Sequence, residues 1–258
     1  MKRLRFEYET QLTFTGSVTG HCFTLRCTPF SDGRQMIAEP LCTVLPGGGS
    51  IWHSRDSFGN LLLCGRMEEP HNSFSFRVEG LAQIRSSCEA VGTAPFFYGF
   101  QTPLTQAGET IQQFYETHHP ACSGVLARAE AFADSLYDYM IYKKGVTQVH
   151  TSAEEAMASG EGVCQDYAHI LLSLLRLDGI RCRYVAGLAF ACGETHAWVE
   201  IHDGRSWIGL DPTHNRLIGE HYIKLCHGRD YADCPIERGI YLGNVSSMQT
   251  VASRVCEG

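Results

Sequence analysis

Cys164, His196 and Asp211 have the side-chain types of an acyl-transfer apparatus: a nucleophile, a base and an acid that orients the base. Cys164 lies in "GEGVCQDYAHILLSLLRLDG", residues 161–180, between a glycine-rich turn and a run in which Ala168, Leu171, Leu172 and Leu175 recur at helical spacing. This pattern starts a helix at or near Cys164 and ends it at Gly179, a residue suited to the left-handed C′ position. The first turn of a helix has unpaired N–H groups and a partial positive charge, and both stabilise a thiolate. The same N–H groups can hold the oxyanion of an acyl-transfer intermediate. Such a cysteine still needs a base.

The base and its partner come from "ETHAWVEIHDGRSWIGLDPTHN". Asp203-Gly204 predicts a two-residue hairpin turn with positive φ at both positions. His202 then opposes Arg205, and His196 opposes Asp211 with Cβ atoms roughly 4.5–5.5 Å apart. Ala197, Val199, Ile201, Ile208 and Leu210 form an apolar underside, and His196, Trp198, Glu200, Trp207, Gly209 and Asp211 share the other face. In this reading Cys164 attacks, His196 takes and returns the proton, and Asp211 fixes the tautomer and stabilises the imidazolium. The hairpin by itself does not bring the helix start to His196.

The positioning elements fall into two halves. From residue 5 to about 90 the period is two, clearest for Phe6, Tyr8, Thr10, Leu12 and Phe14, and again for Phe74, Phe76 and Val78. Turn clusters such as Pro46-Gly47-Gly48-Gly49 and "DSFGN" (56–60) separate these runs at a spacing typical of a sandwich. Beyond a Gly/Pro/Thr-rich passage the period becomes helical, with Ile111, Phe114 and Tyr115, then Val125 through Met140. "HTSAEEAMASGEG" reads as a short helix capped by Thr151 or Ser152 and stopped by Gly160. The expected division is a β-sandwich-like domain over 1–100 and an α+β core over 101–258.

The chain has 258 residues, is 44% hydrophobic and carries a formal net charge of −7, so it can bury a large core and is neither disordered nor fibrous. No basic block would track phosphates, and nucleic acid is not an expected partner. The N-terminal "MKRLRFEYETQLTF" alternates where a signal peptide would be continuously apolar, and no window approaches the ~18 apolar residues of a membrane span, so a cytoplasmic location and no membrane partner are expected. The 12 cysteines include no C-x-x-C pair; free thiols, mostly filling core positions, are expected. His214, His221, Cys226 and His227 are of zinc-ligand types but lack a regular spacing, and read as scattered surface histidines; no metal and no cofactor is expected.

Gly162-Val163-Cys164-Gln165-Asp166-Tyr167-Ala168, Gly179 through Val185 with Gly187, His196-Ala197-Trp198-Val199-Glu200, and Trp207 through Thr213 together resemble, in order, the core motifs of the transglutaminase-like superfamily. The resemblance covers roughly residues 110–225. Residues 1 to about 90 are similar to the β-rich N-terminal region of its bacterial branch, and "GRDYADCPIERGIYLG" resembles the tail of that branch, with Cys234 structural. The resemblance implies a papain-like core in which a helix bearing the cysteine packs on an antiparallel sheet. It also implies the roles already given to Cys164, His196 and Asp211. Gln165 stands where animal transglutaminases have tryptophan, and no acidic loop resembles their calcium sites, which argues against calcium-dependent crosslinking.

Asp166 is expected to cap or brace the helix start, with a substrate-facing role as the alternative. His169 points elsewhere and is not a ligand. Trp198 and Trp207 are candidates for shielding a thioester from water, with packing against the helix as the other reading. The leading function is a cysteine hydrolase acting on peptide or isopeptide amides of a peptide or protein substrate. The alternatives are a transamidase with an amine acceptor and a non-catalytic protein-binding module. A peptide N-glycanase-like activity is disfavoured by the missing paired zinc ligands. Oligomeric state is not legible.

Overall fold

The computed structural model describes residues 1–85, 90–190 and 193–258. The N-terminal part comprises β1 (Lys2–Leu25), β2 (Gln35–Leu45), β3 (Ser50–Arg55), β4 (Leu61–Met67) and β5 (His71–Ile84). A short β6 (Ala90–Val91) leads to α1 (Glu109–His118), α2 (Val125–Tyr139), β7 (Ile141–Tyr142), α3 (Ala153–Ser159), β8 (Glu161–Gly162) and α4 (Cys164–Leu177). Then follow β9 (Cys182–Ala189), β10 (Thr195–His202), β11 (Ser206–Asp211), β12 (Arg216–Leu217), β13 (Tyr222–Gly228), β14 (Glu237–Leu242) and β15 (Ser247–Glu257). The molecule is α+β, and no helix among the described residues is long and apolar enough to cross a membrane.

β1 is long enough to serve two sheets. Its first half pairs with β5 and β15, and beyond the irregularity between Thr13 and Val18 its second half pairs with β4 and β14. β2 flanks β5 and β3 flanks β4, so two antiparallel layers share one strand. The alternation in the sequence places Leu4, Phe6, Tyr8, Thr10 and Phe14 inside, against Phe74, Phe76 and Val78. Residues 237–257, which the expected division left with the core, hydrogen-bond to β1. A strand of this length has open edges that need partners, and the chain's last strands supply them.

The second sheet runs β12-β11-β10-β9-β13, all antiparallel. Ala197, Val199, Ile201 and Leu210 face α4, whose Ala168, Leu171, Leu172 and Leu175 are buried in the same core. α4 ends as expected: Gly179 has φ +71°, Ile180 N–H donates to the Leu175 carbonyl at 2.8 Å, and Gly179 N–H donates to that of Arg176 at 3.1 Å. These are the two hydrogen bonds of a Schellman motif.

Of the described cysteines, Cys27, Cys182, Cys226 and Cys234 are buried, Cys122 is exposed, and Cys22, Cys42, Cys64, Cys164 and Cys256 are half-buried. The expectation that most fill the core therefore holds for fewer than half of them, because several lie on partly exposed strand faces. Cys88 and Cys192 lie outside the described residues.

The edge strand β13 is closed by two buried amides of the N-terminal part. Gln35 accepts from Lys224 N–H at 2.9 Å and donates to the Lys224 carbonyl at 2.8 Å. Asn60 does the same to His227, at 2.9 and 2.7 Å. Each amide thus imitates one residue of a neighbouring strand. The 56–60 turn presents Asn60 because Asp56 accepts from Phe58 N–H and Asn60 N–H at 3.0 Å and from Arg26 at 2.9 Å. Asn60→Ala leaves a buried N–H and carbonyl of β13 unpaired and is expected to cost about 2–3 kcal/mol. The measurement is a lowered urea midpoint with an unchanged m-value.

Candidate active site

The hairpin that carries His196 and Asp211 differs from its expected register. His202 pairs with Trp207 and Val199 with Leu210, two residues away from the predicted pairing. Asp203 does not take positive φ; Gly204 alone does, at +101°. The Asp203 carboxylate accepts from Arg205 N–H at 2.8 Å and Ser206 N–H at 2.7 Å, which moves it to the start of the turn. Because the slip is by two, every side chain keeps its predicted face. His196 and Asp211 are therefore diagonal neighbours rather than opposed ones, and still His196 Nε2 donates to Asp211 Oδ2 at 2.8 Å.

Asp211 has no exposed surface. Its Oδ1 accepts the backbone N–H groups of Thr213 and His214 at 3.0 and 3.2 Å, a turn that Pro212 favours by ending the strand. Its Oδ2 accepts from His196, from His214 Nδ1 at 2.8 Å and from the Tyr222 hydroxyl at 2.7 Å. Burial opposes the carboxylate, but the hydrogen bonds from His196 and His214 outweigh it and hold the group well below the usual carboxylate range. Sequence reasoning did not find Tyr222 and His214 as partners of Asp211. The Asp-Pro-Thr-His turn was a local signal for His214; Tyr222 arrives from a different strand and left none.

Cys164 is brought to His196 by the local chain around the helix start. Gly160 ends α3 in the left-handed region at φ +67°, after a capping box between Ser152 and Glu155. β8 pairs with β7, and Val163 then caps α4. Asp166 reaches back to accept from Val163 N–H and from the Thr147 hydroxyl, both at 2.7 Å. A Cβ on Gly162 would lie 2.7 Å from the Asp166 side chain, which explains the glycine. Asp166 thus braces the helix start and does not line the cavity around Cys164.

That cavity, of about 620 Å³, is lined by Cys164, Gln165, His196, Tyr184, Tyr231 and His214 among others. Gln165 is tied by its Nε2 to the Val149 carbonyl at 3.0 Å. His196 and Cys164 line this cavity together; with Nε2 on Asp211, Nδ1 is the nitrogen left for the thiol. Burial pulls the imidazolium down, but the bonds to Asp211 and Cys164 prevail and raise it to about 9.

Trp198 and Trp207 neither line the cavity nor pack on α4. Trp198 is buried with Val185, Ala189, Ile218 and Tyr222, and Gly187 beside it has no room for a Cβ, which would meet the indole at 2.3 Å. Trp207 packs on Ala94 and Tyr98 beneath Arg183, whose guanidinium lies 4.0 Å from the ring centroid. His169 is buried, pushed down to about 3 by burial, and accepts from Tyr231 N–H at 3.2 Å. Cys226 and His227 are buried rather than superficial, whereas His214 and His221 are exposed as expected. His196, Asp211 and His214 bring three polar atoms within 4.8 Å of one another. Hydrogen bonds at 2.8 Å already engage those atoms and account for the cluster.

Residues 110–212 match the model of the transglutaminase-like superfamily, and residues 4–83 that of the bacterial transglutaminase-like N-terminal region. The chain belongs to the transglutaminase-like superfamily. An uncharacterised protein of Mycobacterium tuberculosis is 26% identical over 94% of this chain and 88% of its own, and one of Mycobacterium leprae is 28% identical over 94% of each. A solved structure described as a "Putative Cysteine Protease" from Cytophaga hutchinsonii covers 100% of this chain and 91% of its own with a TM-score of 0.82. At 22% identity that likeness is one of fold.

A pKa raised in the folded state contributes stability that is complete below the unfolded value and lost as pH rises through the folded one. For His196 that window runs from about 6.5 to about 9. Lys224, lowered to about 8 chiefly by burial, acts in the opposite sense but is common to wild type and variant. Between pH 6 and 9.5 the wild type is expected to lose on the order of 2–3 kcal/mol more stability than His196→Gln, read by urea titration at each pH.

Proposed function

We propose that the protein is a cysteine hydrolase of peptide or isopeptide amides in peptide or protein substrates. The observation that carries this reading is the His196 ring, bonded to buried Asp211 and sharing with the Cys164 thiol the wall of a substrate-sized cavity. The cysteine-protease description of the Cytophaga protein, which has this fold, supports it.

His196 takes the Cys164 proton and is stabilised as imidazolium by Asp211. The thiolate attacks the amide carbon, and the negative charge moves to the carbonyl oxygen, where the free N–H groups at the start of α4 can receive it. Collapse of this intermediate breaks the C–N bond, and His196 gives its proton to the departing amine. Water, deprotonated by His196, then attacks the thioester; the acid leaves and Cys164 recovers its proton. An amine in place of that water would give transamidation from the same acyl-enzyme.

Cys164→Ala is expected to abolish hydrolysis of a peptide-amide library while leaving the fold intact by circular dichroism, and Asp211→Ala to retain a weak residual rate. Full activity in Cys164→Ala would overturn the mechanism. Iodoacetamide labelling followed by peptide mass spectrometry checks the pair without a substrate. Cys164 is expected to label fastest below pH 7 and to lose that advantage in His196→Ala. Labelling no faster than glutathione in both proteins would favour a binding module, and incorporation of a labelled amine in preference to hydrolysis would make the enzyme a transamidase.

A further inference from the structure

Three proton donors converge on one oxygen of Asp211. His196 Nε2 and His214 Nδ1 lie 2.8 Å from Oδ2 and the Tyr222 hydroxyl lies 2.7 Å from it, while Oδ1 is occupied by two backbone N–H groups. A carboxylate oxygen offers about two lone-pair sites, so three donors must divide its charge. They come from β10, from the turn after β11 and from β13. Arg216, on β12, donates its Nε–H to the Tyr222 hydroxyl at 2.8 Å. That hydroxyl, occupied as an acceptor, directs its own proton to Asp211. Burial and the charge of Asp211 push Tyr222 well above the usual phenol range and keep that proton in place.

We propose that Tyr222 and His214 are positioning residues that share Asp211 with His196 and thereby set the basicity of His196. The inference rests on the catalytic roles assigned to Cys164, His196 and Asp211. Each further donor draws charge from the carboxylate and weakens its hold on the imidazolium. An imidazolium held too firmly is a poor acid toward a leaving amine, and general acid–base catalysis is fastest when the pKa lies near the working pH. Among the described residues, the charged and titratable groups around the pair are Cys164 from α4, His214, Tyr222 and, through Tyr222, Arg216, with Lys144 and Glu194, ion-paired to each other, on the wall of the same cavity. Relaxing the grip of Asp211 is thus a distinct task from orienting the ring.

Tyr222→Phe removes the hydroxyl and keeps the ring that packs on Trp198 at 5.6 Å between centroids. His214→Ala removes the second imidazole from an exposed position. The experiment titrates the His196 nitrogens by NMR in 15N-histidine-labelled protein, with His196→Gln to assign the resonance. In both variants the His196 midpoint is expected to rise by about half a pH unit or more, and kcat for amide hydrolysis to fall with KM unchanged. A midpoint that stays in place or falls in either variant overturns the proposal, since a merely structural partner would not raise it. The NMR reading needs no turnover, so failure of the hydrolase assignment would show separately, as an unreactive Cys164 beside a His196 that still titrates as expected.

Discussion

The buried carboxylate of Asp211 is the constraint around which the site is arranged. A carboxylate without solvent loses several kcal/mol of hydration and remains ionised only where hydrogen-bond donors replace the water. Five donors do so, and they come from three places in the chain. The anion is therefore fully supplied with donors only when β10, the turn after β11 and β13 are all in register. In turn it holds the His196 ring at the wall where α4 presents Cys164. Loss of any one of these elements would strip part of that solvation, so sheet order and site chemistry are coupled.

The N-terminal part enters this coupling through β13. Tyr222 lies on an edge strand whose backbone would otherwise face solvent, and Gln35 and Asn60 pair with Lys224 and His227 of that strand. Beneath it Glu200 joins Lys224 at 2.7 Å and Arg183 at 2.6 Å in a buried charge group, and Arg183 rests on Trp207. Among the described residues the β-rich N-terminal part thus lends none to the wall near Cys164 but fixes the strand that supplies a donor to Asp211.

What the sequence revealed followed the range of the forces involved. Helix ends are local events, so the stops at Gly160 and Gly179 could be read from adjacent residues, as could a cap at Thr151 or Ser152, of which Ser152 is the one used. The faces of β10 and β11 follow a period of two and survived a register error, because an error of two returns each residue to its side. The register itself turned on whether Asp203 would take positive φ or use its carboxylate on the turn, a competition between two local minima that residue types alone did not decide. The approach of Cys164 to His196 was supplied by family resemblance rather than by pattern. Tyr222, Gln35 and Asn60 act on residues that only the assembled sheets bring near, and no spacing in the chain announces them.

β1 pairs Leu4 with Glu257, residues separated by nearly the whole chain. Closing so large a loop has an entropic cost that grows slowly with length, but contacts of such sequence separation form late and slow folding. During synthesis, the segment bearing Cys164, His196 and Asp211 therefore leaves the ribosome before the strand that completes the first sheet. The pairing of β1 with β15 is therefore among the last contacts that can form, and it closes a sheet around a site-bearing segment that has already emerged.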